Sequence, residues 1–247
     1  MPQRLDVQIP TGDGVSAGTL HVPDGTAPWP GVLVFTDAFG PRDTFAAIGD
    51  HVASLGYVAL LPDVYYREGQ YAPFDPVTTF SEERERRRVF AFMSSLTNQR
   101  VIADTDAYAD FLLSRPEVRG TAIGAHGYCM GGRLALIAAG GVGDKMSAAA
   151  AFHSAGVAIP DDPSSPHLAA DKIRAVVYVA GSVDDRGFTP ENAELLDSAL
   201  AAAGVEHTVE IWPGHHGYAV PDQPVYDAAL DERHWDVLRD LYAARLS

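Results

Sequence analysis

Gly127, Tyr128, Cys129, Met130 and Gly131 stand between an apolar stretch ending at His126 and the apolar run Leu134 to Ala138. A thiol with glycine two positions away on each side, strand-like sequence before it and helix-like sequence after it, describes a tight turn that exposes a nucleophile. The central residue of such a turn is strained, and only small flanking residues avoid collision. The N-terminus of the following helix aims N–H groups and a positive dipole end at the sulfur, which favours thiolate over thiol. The competing role for Cys129 is a small hydrophobe packed at a glycine-rich turn. Its catalytic partners, or their absence from the rest of the chain, decide between the two.

An acid and a histidine come later in the required order. Asp184 and Asp185 come after the apolar run Arg174 to Ala180 and Gly181, and His215 and His216 come after the run Val205 to Ile211. His216 directly precedes Gly217 and Tyr218 and is preferred as the base, with His215 as its polar loop neighbour. Asp184 lies closest to the strand end and is preferred as the acid. Asp185 is the alternative, its other role being to cap the turn. Nucleophile, acid, histidine is the chain order of the α/β-hydrolase fold.

These residues need a scaffold that brings strand ends together. Leu5 to Ile9 and Val15 to Val22 alternate apolar with polar residues about a Gly12–Gly14 turn, which predicts an antiparallel hairpin. Gly31 to Phe35, Tyr57 to Leu61, Ser147 to Phe152, and the runs before Asp184 and His215 read as strands buried on both faces. Between them lie amphipathic helices: one capped by Asp43 with Phe45, Ile48, Val52 and Leu55 inward, one over Val101 to Leu113, one over Pro190 to Ala203, and a closing helix with Trp235, Leu238 and Tyr242. Ser81 begins a further, highly charged helix whose Glu82–Arg86 and Glu83–Arg87 pairs suit a solvated face, or one arginine turned inward to a substrate carboxylate. Residues 65–74 form a long aromatic loop. The expected fold is α/β: a mainly parallel, doubly wound sheet with an N-terminal antiparallel hairpin, in one domain spanning 1–247. Ligands bind such sheets outside the carboxyl ends of the strands, where Asp37, Cys129, Asp184, Asp185 and His216 all fall.

Composition narrows the function classes. The 247 residues carry 18 Lys+Arg against 33 Asp+Glu, a net charge of −15, which argues against nucleic acid and anionic membranes as partners. Apolar residues make up 47%, enough for a sizeable core. No apolar run approaches the roughly 18 residues that span a membrane, and the N-terminus lacks a secretory apolar core, so a cytoplasmic location is expected. A single cysteine excludes an intrachain disulfide and a multi-cysteine zinc site. A small-molecule substrate, no metal or organic cofactor, and a monomer or homodimer are expected.

From about Pro30 to Leu241 the chain resembles the dienelactone hydrolase family of α/β-hydrolases. The resemblance rests on the elbow Gly127 to Gly132, on Gly56-Tyr57 with Leu61 to Arg67, and on Gly214 to Tyr218. A cysteine in the elbow is its specific part. The resemblance implies a Cys129–His216–Asp184 triad acting on an ester or lactone. It also implies an acid after the third strand that assists thiol deprotonation, placed here at Asp37, where the family typically has Glu. Two arginines hold the substrate carboxylate in dienelactone hydrolase itself. One corresponds to Arg86, while the other position is Val220 here. Arg86 and Tyr128 are the expected substrate contacts. The oxyanion donors are expected at the backbone N–H of Met130 and at Ala38 or Phe39. A general carboxylesterase or thioesterase would use the same residues, and a non-hydrolytic ligand-binding member of the fold is the alternative of another class. A redox-sensing thiol would lack an intramolecular resolving cysteine.

Overall fold

A computed structural model describes residues 2–26 and 28–246. Eight strands form one sheet: β1 (Gln3–Thr11), β2 (Gly14–Val22), β3 (Trp29–Phe35), β4 (Val58–Pro62), β5 (Val118–Tyr128), β6 (Met146–Phe152), β7 (Val176–Ser182) and β8 (His207–Trp212), in the spatial order β1-β2-β4-β3-β5-β6-β7-β8. The hairpin β1–β2 is antiparallel and joins β4 antiparallel, and every pairing from β4 to β8 is parallel. This is the mainly parallel, doubly wound sheet with an N-terminal hairpin that the patterning predicts.

The continuous apolar strands are explained by cover on both faces. Along β3, Leu33 and Phe35 enter the core beneath α3 (Asn98–Leu113), α4 (Met130–Ala139) and α5 (Pro190–Ala202), whereas Val32 and Val34 enter the core beneath α1 (Asp43–Ser54) and α6 (Ala228–Arg245). Both cores are layers of Val, Leu, Ile and aromatic side chains, with Phe45, Tyr128, Trp212 and Tyr242 fully buried in the second.

Helix starts shift slightly from expectation. Asp43 is the first helical residue of α1 rather than its cap, and Arg42 holds the N-cap position with no side-chain cap bond. The Arg42 guanidinium is engaged elsewhere, by Asp37 and Asp222. The charged helix α2 (Glu83–Ser95) is preceded by Glu82 rather than Ser81. Its Glu83–Arg87 pair forms as expected, and Arg88 pairs with Glu85 and lies over the Phe74 ring, 3.9 Å from its centroid. The aromatic loop after β4 is packed: Tyr65, Tyr71 and Phe74 meet edge-on with Phe92 of α2. No helix among the described residues is long and apolar enough to cross a membrane.

Candidate active site

The β5–α4 junction makes a tight turn at Cys129. Its φ of 55° and ψ of −119° lie in the left-handed region that a side chain seldom adopts, the strain expected where a nucleophile is held out from strand and helix. The backbone leaves no room beside it. A Cβ on Gly127 would collide with the Gly131 carbonyl, and one on Gly131 would collide with the Thr36 carbonyl oxygen. The Cys129 N–H donates to the Phe152 carbonyl at 3.1 Å, tying the turn to β6. The thiol is half-buried and faces a cavity of about 190 Å³.

His216 reaches this cavity from the loop after β8 and lines it together with Cys129. Its Nδ1 lies 2.5 Å from Asp185 Oδ2. Asp185 is itself oriented by a second bond, since its Oδ1 accepts the Gly187 N–H at 2.8 Å. Burial works against a charge on His216, but the Cys129 sulfur and the Asp185 carboxylate outweigh it, and its pKa is pushed up to about 10. At neutral pH this keeps the imidazole charged between the sulfur and the carboxylate.

The preference for Asp184 over Asp185 is corrected by this geometry. Asp184 pairs with His215 at 2.7 Å, and both side chains are more than half exposed at the surface. The turn after β7 sends consecutive carboxylates to opposite sides, so two Asp–His pairs form side by side, and only Asp185–His216 faces Cys129. His216, rather than His215, is the histidine that lines the cavity.

Three further expectations meet a different geometry. Asp37 lines the cavity, but Arg42 binds both its oxygens, Nη1 to Oδ1 and Nη2 to Oδ2, each at 2.7 Å, which leaves no free carboxylate to serve as a base for the thiol. Burial pushes the Asp37 carboxyl up while the Arg42 bonds oppose it. Arg42 continues to Asp222 through Nε and Nη2 at 2.6 and 2.9 Å, and Asp222 also accepts from Thr44 Oγ1. The loop after β3 and the loop after His216 are therefore clamped by one guanidinium. Arg86 is exposed on α2 and does not line the cavity, because the helix turns Val89 inward and leaves Arg86 in solvent. Tyr128 is fully buried on the opposite face of the sheet, donating to or accepting from His234 Nε2 at 2.8 Å, so it does not contact a ligand beside Cys129. Strand alternation sends it there.

The expected oxyanion donors divide. Phe39 N–H donates to Asp37 Oδ1 at 3.0 Å and is used up. Met130 is the first residue of α4, where an N–H has no intrahelical acceptor. Ala38 is held from its carbonyl side, which accepts the Tyr65 hydroxyl at 3.0 Å, and the same hydroxyl lies 3.1 Å from Met130 Sδ. The buried aromatic loop thus braces both loops that flank the sulfur. Val220, at the position of the second family arginine, is fully buried in the core beneath α6.

Residues not singled out from sequence complete the cavity. His153, closing β6, is buried and lines it, as do Gln223, Pro76 and Phe80. A polar residue directly after the apolar run of β6 was the available signal for His153. Arg42 and Asp222, 180 positions apart, carried none. Among the described residues, no cluster of three His, Cys, Asp or Glu could hold a metal ion.

Known proteins share both sequence and fold with this chain. The family model described as the dienelactone hydrolase family matches residues 17–245. A Synechocystis protein named "Putative carboxymethylenebutenolidase" is 26% identical over 243 residues, covering 97% of this chain and 96% of its own length. A Pseudomonas putida carboxymethylenebutenolidase is 28% identical over 140 residues, 56% of this chain and 57% of that protein. A solved Klebsiella pneumoniae structure described as "Putative Dienelactone Hydrolase" superposes with a TM-score of 0.83 at 22% identity, covering 98% of this chain and 99% of that one. The fold is that of the α/β-hydrolases, shared also with Pyrococcus horikoshii acylaminoacyl peptidase at a TM-score of 0.69 and 13% identity, covering 99% of this chain and 42% of that one. The chain belongs to the dienelactone hydrolase family.

Proposed function

We propose that this protein hydrolyses an uncharged ester or lactone with Cys129 as nucleophile, His216 as proton carrier and Asp185 as the group that orients and charges His216. The observation that carries this reading is that His216, bound through Nδ1 to Asp185, shares one cavity with Cys129, whose sulfur stands at a helix N-terminus. Membership of the family supports a carboxylic ester hydrolase. With Nδ1 committed to Asp185, Nε2 is the nitrogen that serves the sulfur.

The Cys129 thiolate attacks the carbonyl carbon, and the carbonyl electron pair moves to oxygen, where the N–H groups of Met130 and Ala38 receive it. Such donors contribute about 3 kcal/mol each in acyl transfer. Collapse of the tetrahedral species breaks the bond to the leaving oxygen, which takes the proton from His216 and departs as alcohol, or stays attached if the substrate is a lactone. The neutral imidazole then removes a proton from water as the water attacks the thioester. A second collapse expels the thiolate beside the re-protonated His216 and restores the resting pair. Asp37 takes no part as a base, and its Arg42 clamp fixes the loop that bears Ala38.

Apart from the His216 imidazolium, the described residues lining the cavity carry no cation, and nearby Arg42 is already engaged by two carboxylates. That favours an uncharged substrate over a carboxylate-bearing lactone. The test is hydrolysis of p-nitrophenyl acetate and small neutral lactones by wild type and Cys129→Ala, with mass spectrometry for an acyl group on Cys129. Loss of turnover in the variant and an acyl adduct on the wild type are expected. Undiminished turnover by Cys129→Ala would overturn the assignment.

A further inference from the structure

His153 is the group in this cavity that the hydrolytic reading does not use. Its side chain is about 1% exposed, and neither ring nitrogen has a hydrogen-bond partner. Buried imidazole nitrogens are normally satisfied, and leaving them unmade has a cost that calls for a reason. Its backbone is held at a φ of 40°, one of three non-glycine residues with positive φ among those described, and Cys129 is another. Strain at a side chain that lines a ligand cavity is the pattern of a residue held in place for contact. Its N–H donates to the Ala180 carbonyl at 2.7 Å, and its ring packs against Tyr218 and His216 at centroid distances of 5.0 and 5.5 Å.

Gln223 presents the same anomaly from another loop. Its side-chain Nε2 is buried and unpartnered, and the residue lines the same cavity. It follows Asp222, whose bonds to Arg42 and Thr44 fix that loop. Both residues line one space walled by Phe39 and Phe80. Both are uncharged. Burial, together with the neighbouring His216, pushes the His153 pKa well below the ordinary histidine value. Neutral imidazole offers one donor and one acceptor, and the amide nitrogen offers donors. Neither matches a carboxylate as a cation would, and the Asp37 carboxylate lining the cavity disfavours one.

We propose that His153 and Gln223 form a neutral polar subsite that takes an uncharged oxygen function, a hydroxyl or carbonyl, on the substrate beyond the scissile ester. The inference rests on the hydrolytic reading above and names the class of ester: small, uncharged and carrying a second oxygen within reach of the carbonyl. A site built to hydrogen-bond such a group discriminates strongly against the analogue that lacks it, because its own polar groups are then left unpaired.

The experiment compares matched pairs: p-nitrophenyl butanoate with p-nitrophenyl 3-hydroxybutanoate, and butyl acetate with 3-hydroxybutyl acetate. In wild type, kcat/KM for the hydroxylated member of at least one pair is expected to exceed its partner by about tenfold or more. His153→Phe, which removes both nitrogens and keeps a ring, and Gln223→Leu, in an unstrained loop position, should each bring that ratio toward one. A general loss of folding or activity would lower both members and leave the ratio where it was. Binding of the same four esters to Cys129→Ala protein, followed by calorimetry, reads the ratio without turnover. Ratios of one for both pairs in wild type, or a ratio that neither substitution moves, would overturn the subsite. Turnover that survives in Cys129→Ala would instead overturn the hydrolytic reading, and the calorimetric ratio would still decide the subsite.

Discussion

Replacing Asp185 by asparagine removes the negative charge 2.5 Å from His216 Nδ1 and changes little else in shape. The new side chain can keep the bond from Gly187 N–H through its oxygen, so the turn after β7 is preserved. Its amide N–H₂ then faces Nδ1, which must accept, and the proton is forced onto Nε2, the nitrogen that has to take one from water in the second half of the reaction. Unit charges about 4 Å apart at an effective dielectric of about 20 interact by about 4 kcal/mol. That corresponds to a loss of roughly three orders of magnitude in rate, and the equivalent change in a serine protease costs about 10⁴. Asp184→Asn is the internal control, because its pair with His215 is more than half exposed on both sides. Exposed pairs contribute at most about 1 kcal/mol, and this one touches no reacting group, so less than about a fivefold change is expected. The assay is kcat/KM for p-nitrophenyl acetate at pH 7.5, with thermal melting to show that both variants fold. A hundredfold loss in Asp184→Asn with near-normal Asp185→Asn would refute the assignment of the acid.

Other consequences can be measured directly. Arg42→Leu strands the fully buried Asp37 carboxylate and should cost about 3–5 kcal/mol in urea unfolding at pH 7.5. Without its guanidinium Asp37 has a raised folded pKa, so the variant recovers stability as pH falls toward 5, and an equal loss at both pH values would count against this account. Gly127→Ala drives a methyl group into the Gly131 carbonyl and should destabilise by at least about 3 kcal/mol, which denaturant melts would read as a lowered midpoint. The His216 pKa of about 10 lies above the ordinary value of 6.5. Its contribution to stability is therefore full below about pH 6.5 and is lost as pH rises through about 10. Titration of the imidazole followed by NMR should show the charged form persisting past pH 8 in wild type and a lower midpoint in Cys129→Ala; a wild-type midpoint near 6.5 would contradict the ion pair.

Features enforced by local spacing were legible in the sequence. Gly127 is required by its approach to the Gly131 backbone four residues on, and the apolar strands are required by burial on both faces, so both stand out in one dimension. Adjacent carboxylates at 184 and 185 are indistinguishable until the turn sends one inward, and the bond from Gly187 that holds Asp185 there is a property of the folded loop. Tyr128 neighbours Cys129 in sequence, yet strand alternation directs it to the opposite core, where His234 meets its hydroxyl. Arg86 belongs to the unbroken charged run from Glu82 to Arg88, in which only the helical phase, with Val89 inward, separates buried from solvated positions. The Asp37–Arg42–Asp222 clamp depends on a partner 180 residues away and has no signature in one dimension.

That clamp also bears on how turnover ends. Under the proposed reading, hydrolysis of a neutral ester would create a carboxylate in a cavity that Asp37 lines, while the Arg42 guanidinium close by is already shared between two anions. A chain of net charge −15 adds a long-range field of the same sign. Under that reading the acid formed would be repelled by electrostatics that do not oppose the uncharged ester. Such a site works in one direction by preference, with little inhibition by the acid it makes and poor capture of acids for the reverse esterification.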